Sequence, residues 1–291
     1  MTHIKLVERS TKIFCPRHVG FLGTLVTVAL VLFSTGFYAA IILTSSTTYV
    51  IPETQTLVAR RSYADENISE SSSTSRTPSG SLPAKEDIMD FYRAQAGQDK
   101  WIFETLMGSN VDEMRNRRGF FIEFGARNGI EHANTYFFET FLGWCGMLIE
   151  ANPKEQGNIA KDRPNSAVVN GAVCEKDGGT ITFYDANLGG WGGAKSSYDK
   201  ERLTDTESAG KEFEVPCHRL DSLVTDLRIT QVDVMTVDIE GAELIALRTF
   251  PFNRIQPKLI AIEILTNTEE REEYRQEVNV FMESQGYKVC K

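Results

Sequence analysis

A chain of 291 residues has room for one good-sized domain with appendages, and its composition is that of a folded protein. The formal net charge of −9 is unevenly spread: Lys5, Arg9, Lys12 and Arg17 against Glu8 leave residues 1–19 at +3, so the remainder carries −12. An acidic body argues against nucleic acid as a partner, because phosphate binding needs clustered Lys and Arg.

Residues 1–19 read as a cytosolic basic tail. Gly20 to Leu43 carries no charge and is rich in Leu, Val, Ile and Phe. As a helix rising about 1.5 Å per residue it spans about 36 Å, enough for a bilayer core of about 30 Å, so residues 20–43 are expected to be a transmembrane signal anchor. A cleaved signal peptide is the alternative, but the apolar run exceeds the usual core of such peptides. The basic excess before the span predicts a type II orientation, with the C-terminal bulk in the lumen of the endoplasmic reticulum or Golgi. Cys15, beside the span, is a candidate for palmitoylation.

Residues 44–83 hold seventeen Ser or Thr and little apolar surface, and read as a flexible stem containing the sequon Asn67-Ile68-Ser69. Order is expected to resume at Ala84, giving a domain over 84–291. Ile88, Phe91, Trp101, Ile102 and Leu106 have helical spacing. GFFIEFGARNG (119–129) reads as a buried strand that breaks at a glycine turn before a helix over about 131–142. CGMLIE (145–150) is the next strand. SAVVNGAVC and TITFYDA read as further strands, and 187–209, with GGWGG, as a mobile loop in which Trp191 could close over a ligand. FEVPCHRLDSLV is an extended segment turning into a helix, VDVMTVDIEGAELIAL a strand, turn and helix, KLIAIEIL a strand, TEEREEYRQEVNVFMESQG an amphipathic helix, and YKVC a last strand. This alternation predicts a mostly parallel α/β sheet with helices on both faces.

In such sheets the ligand lies beyond the C-terminal strand ends. Glu123, Glu150, Asp238 and Glu263 all fall at or near those ends. Gly125 and Gly129 lack the Cβ that would keep a ligand from the backbone, and Glu150, about twenty residues on, is placed to take two ribose hydroxyls. Together these point to a nucleoside ligand. Cys145, Cys174, Cys217 and Cys290 follow the span, contain no CxxC pair that would suggest a zinc site, and form either two disulfides, in one of three connectivities, or buried free thiols.

Read together, QAGQDKWIF, GFFIEFGARNG, LIEANP, NGAVCEKDGG, HRLDSLV and VDIEGAE resemble an FkbM-type methyltransferase domain over about Gln95 to Val289, in a membrane-anchored, Star-like form. The resemblance implies a class I fold, a Rossmann-like sheet of seven strands, and S-adenosyl-L-methionine as cofactor. It implies that Glu123, Gly125 and Gly129 form the first cofactor motif, with Gly125 and Asn128 near the methionine moiety, Glu150 on the ribose, and Gly171 and Ala172 passing the adenine. Asp238 would face the reaction centre, with Glu240 and Gly241 shaping its turn. Two departures stand out: Thr236 lies where family members often carry Lys, and no C-terminal stretch supplies the last antiparallel strand. In-line methyl transfer needs positioning and exclusion of water, plus a base where the acceptor is a hydroxyl. Asp238 and His218 are the candidates, with His132 behind them. The function implied is O-methylation of a small-molecule or glycan acceptor carrying a hydroxyl or carboxyl. The alternative is an inactive module of the same shape that binds secretory client proteins in the early secretory pathway.

Overall fold

The computed structural model describes residues 9–16, 82–185, 192–194, 211–265 and 269–290. Its main sheet grows from strands that are mostly apolar and buried along nearly their whole length. β2 (Phe120–Phe124), β3 (Cys145–Glu150) and β9 (Val234–Val237) have almost no exposed position, as expected of parallel strands covered on both faces. Residues of odd and even number point to opposite faces. Phe120, Ile122 and Phe124 therefore enter one core with Met235, Val237 and Ile262, while Phe121 enters the other.

The first core is closed by α5 (Leu220–Asp226), α6 (Glu243–Thr249) and α7 (Glu269–Ser284), through Leu220, Leu223, Leu247, Val278 and Met282. The second is closed by α1 (Gln98–Trp101), which runs on as a π-helical turn over Ile102–Leu106, by α2 (Val111–Arg117), and by α3 (Tyr136–Thr140). Here Phe137, Phe138, Phe141 and Trp144 are fully buried, and the Trp144 indole N–H donates to the Met114 carbonyl at 2.8 Å. Gly146 is fixed by this packing, since a Cβ there would overlap the Phe121 ring. Truncating any one of these rings to Ala would cost about 3–5 kcal/mol.

The strand order is β11-β1-β10-β9-β2-β3-β4, with β4 at Ser166–Asn170, β10 at Leu259–Leu265 and β11 at Tyr287–Val289. The expectation of a mostly parallel sheet preceded by a membrane helix is corrected at β1 (Arg9–Pro16). This strand runs antiparallel between β10 and β11, pairing Arg9 with Leu265 and Phe14 with both Ile260 and Val289. Phe14 is fully buried there. The sheet is therefore mixed, with its antiparallel strand contributed by residues 9–16. Residues 9–16, part of the stretch expected to be a basic tail, are hydrogen-bonded into the sheet. No helix among the described residues is long and apolar enough to cross a membrane. Residues 20–43 lie outside the described residues, as do Asn67, Trp191 and the Cys15 side chain.

A second correction concerns SAVVNGAVC. It is two strands that part at Gly171: β4 ends the main sheet, and β5 (Ala172–Val173) joins a smaller one with β6 (Thr180–Asp185), β7 (Gly192–Ala194) and β8 (Lys211–His218), in the order β5-β8-β6-β7. That sheet is largely antiparallel. A Cys174–Cys217 disulfide ties β5 to β8, and Cys145 is not in a disulfide.

Candidate functional site

The C-terminal ends of β2, β3 and β9 open into a cleft floored by the main sheet and walled by the smaller one. The turn after β2 makes its base. Gly125 has φ +73°, and a Cβ there would run into the backbone carbonyl oxygen of Asp238, so the β2 and β9 turns meet only because this residue is glycine. The Gly125 and Ala126 N–H groups both donate to the Ile149 carbonyl, at 3.0 and 3.2 Å. The helix expected from residue 131 begins only at Tyr136. Asn128 Oδ1 accepts from the N–H groups of Ile130 and Glu131 at 3.0 and 2.9 Å, and this local turn uses the backbone that a first helical turn would need.

Glu150 reaches the cleft from the end of β3 and is 5 % exposed. Its Oε2 accepts the Arg127 N–H and its Oε1 the Asn152 N–H, each at 2.6 Å. Burial dominates these bonds and pushes its carboxyl up to about 7. Each oxygen keeps acceptor capacity beyond its one backbone donor, so the carboxylate can still hold a pair of hydroxyls. Ala172, Val173, Ile181 and Phe183 form an apolar wall beside it, suited to a planar base.

At the other end the lining changes. Asp238 and Glu240 follow β9, Glu263 lies on β10, and Gln95, Gln98, His132 and Asn134 close the side. The segment before α1 is held by Asp99, which is fully buried and accepts from the N–H groups of Arg93, Ala94 and Lys100 at 2.7, 3.1 and 2.7 Å. Its fixed shape brings Gln95 and Gln98 to the cleft. An isolated bridge joins Ala94 to His132, whose Nδ1 accepts from Arg127 Nη1 at 2.9 Å.

The predicted residues divide. Gly125, Glu150, Ala172 and Asp238 line one cleft, together with Gly171. Glu123, Asn128 and Gly129 lie behind the turn and build it. The Glu123 carboxylate is fully buried and accepts from the Asn134 N–H at 2.5 Å and from Thr135 Oγ1. Arg163, also fully buried, lies 3.7 Å from it, pairs with Glu139 at 2.8 Å, and donates to the Gly129 carbonyl at 2.9 Å. Gly129 faces the Arg163 and Ile159 side chains. His218 does not line the cleft: it packs behind Gly171, with Nε2 3.4 Å from the Asn170 carbonyl. Thr236 lies in the buried run of β9 and is likewise outside the lining.

Residue patterns gave no lead to Arg127, Asn134, Asn152, Ile181 or Phe183 as lining residues. The signal for the first two was weak but present, since both lie within ten residues of the glycine turn. Ile181 and Phe183 carried none, because the smaller sheet brings them from more than thirty residues downstream of Glu150. Among the described residues no group of three or more His, Cys, Asp or Glu is placed to hold a metal ion.

No curated protein and no solved structure matches the chain. Residues 123–289, from the buried acid of β2 to the end of β11, match the family described as "Methyltransferase FkbM domain". The match spans both the glycine turn and the acid at the end of β3, and covers more than half of the sequence: the chain belongs to the FkbM methyltransferase-domain family.

Proposed function

We propose that this protein transfers a methyl group from S-adenosyl-L-methionine to a hydroxyl or carboxyl of a small-molecule or glycan acceptor. The observation that carries the reading is the convergence of the Gly125 turn, the buried Glu150 carboxylate and Asp238 on one cleft with an apolar wall. The residues fit an adenosyl group: Glu150 has lone pairs left for ribose hydroxyls, and Ala172, Val173, Ile181 and Phe183 offer a base-sized apolar face. When bound, the sulfonium supplies an electrophilic methyl carbon.

The chain's part is then to bind, orient and exclude water. Glu150 and the turn after β2 hold the nucleoside. Asp238, Glu240 and Glu263 give the other end an acidic lining, which favours a cationic centre and accepts hydrogen bonds from hydroxyls. In this reading Asp238 takes the acceptor proton, supported by its position in the cleft lining, to which His218 does not belong. The Cys174–Cys217 disulfide supports a domain that works in an oxidising compartment such as the lumen of the endoplasmic reticulum or Golgi. Isothermal titration with S-adenosylmethionine tests the reading: heat of binding that disappears in Glu150→Ala is expected, and no heat with the wild-type chain removes the enzyme assignment.

A further inference from the structure

The turn after β9 brings Asp238, Ile239 and Glu240 to the cleft, in a shape that the chain does not adopt unaided. Glu240 stands at φ +60° and Gly241 at φ +105°. A side-chain-bearing residue in the left-handed region persists only where neighbouring groups enforce it. On one side the turn rests against Gly125, since the Asp238 carbonyl oxygen lies where it would collide with any Cβ. On the other side the Gly241 N–H donates to Glu243 Oε1 at 2.9 Å. Glu243, the first residue of α6, does not line the cleft and is 1 % exposed. Its Oε2 accepts from the Tyr274 hydroxyl at 2.9 Å, and the Tyr274 oxygen in turn accepts the Leu244 N–H at 3.0 Å. Burial raises the Glu243 carboxyl above its ordinary range, and the Glu240 charge adds to that effect; the Gly241 N–H and the Tyr274 hydroxyl oppose it. A buried acid is thus held between the cleft turn and α7, with one oxygen serving each.

We propose that Glu243 and Tyr274 are positioning residues for the methyl-transfer site: through the Gly241 N–H they hold the turn in the conformation that brings Asp238 and Glu240 to the cleft. The inference rests on the proposed function, in which this acidic end of the cleft takes the cationic sulfonium. The bond to Gly241 separates the role from that of a tie between helices. Fastening α7 to α6 requires only the Tyr274 contacts with Glu243 and Leu244, whereas the Gly241 bond couples that contact to the lining.

S-adenosylmethionine and S-adenosylhomocysteine differ by a methyl group and a positive charge at sulfur, so the ratio of their affinities reports how the acidic end is placed. Titration calorimetry on the wild-type chain sets that ratio. Tyr274→Phe and Glu243→Leu should each shift it against S-adenosylmethionine by about threefold to tenfold, the scale on which a weakly screened charge pair responds to a displacement of about 1 Å. S-adenosylhomocysteine binding should stay within about twofold in both, which also shows that the variants are folded. Glu243→Gln keeps a carbonyl oxygen for the Gly241 N–H and should hold the ratio near its wild-type value. An unchanged ratio in Tyr274→Phe and Glu243→Leu, or a Gln variant that loses as much as the Leu variant, overturns the positioning role and leaves the adenosyl site standing. Failure of the wild type to bind either ligand overturns the adenosyl site and the positioning role with it.

Discussion

The two ends of the main sheet each bury a carboxylate, and they treat it in opposite ways. At the N-terminal end Asp233 is fully buried; it accepts from the Phe120 N–H and Gln231 Nε2 at 2.9 Å each and from Lys258 Nζ at 2.8 Å, and it pairs with Arg117. Burial works against its charge, yet Arg117, Lys258 and these hydrogen bonds outweigh it and hold the carboxyl below its ordinary range. At the C-terminal end Glu150 receives two backbone N–H groups, and burial prevails. An acid that staples strands is saturated with partners. An acid proposed to bind a ligand keeps capacity in reserve and holds its charge at a cost, which is the pattern expected where stability yields to function.

The comparison breaks most visibly at the buttress beneath the turn. Arg163→Met removes the cation that serves Glu123 and Glu139, and leaving two buried carboxylates without it should lower unfolding free energy by about 3–5 kcal/mol in urea titrations. Reduction of Cys174–Cys217, whose separation is 43 residues, should cost about 4 kcal/mol on chain-entropy grounds, and should weaken S-adenosylhomocysteine because β5 supplies the apolar wall. Calorimetry with and without reductant checks both parts.

The two acids should then separate by pH. Glu150 has its folded-state value raised from 4.5 to about 7, so the folded chain holds more protons than the unfolded one between those values. Its contribution to stability accordingly falls as pH rises across that window, by about 3 kcal/mol at most. Asp233, with its value depressed, contributes stability above the unfolded value of 3.8 that is lost as pH falls through its folded value. Glu150→Gln should flatten the first slope in pH-dependent denaturation and leave the second. The smallest effect is on affinity. Ribose hydroxyls donate to the ionised form of Glu150, so binding of S-adenosylhomocysteine should strengthen from pH 6 to about 7 by no more than about tenfold and level off above it. A profile that rises below pH 7 in Glu150→Gln as well would assign the titration to another group.

Much of this architecture was readable from residue patterns because local chemistry dictates it. The apolar runs at 120–124, 145–150, 234–237 and 259–265 could only be buried strands, and the glycine after Phe124 could only be a turn. An acid that closes an apolar run belongs at a strand end whatever its neighbours do, and Glu150 and Asp238, which both do, line one cleft. Glu123 reads as a cofactor-site acid for the same reason; in the fold its carboxylate is buried and hydrogen-bonded to the Asn134 N–H and Thr135 Oγ1. Strand alternation alone does not say which face a buried Arg163 will occupy, and that distant cation takes the carboxylate.

What no reading along the chain could settle are the contacts made between segments far apart in it. Periodicity reports a residue's burial but not its partner. It therefore could not seat residues 9–16 between β10 and β11, split the strand at Gly171 between two sheets, or bring Phe183 to the cleft that Glu150 lines. Turns and strands follow from short-range sterics and hydrophobic alternation, and were legible. The pairing of N- and C-terminal strands, the smaller sheet that walls the cleft, and the bond from Tyr274 to Glu243 depend on long-range packing, and came into view only with the folded chain.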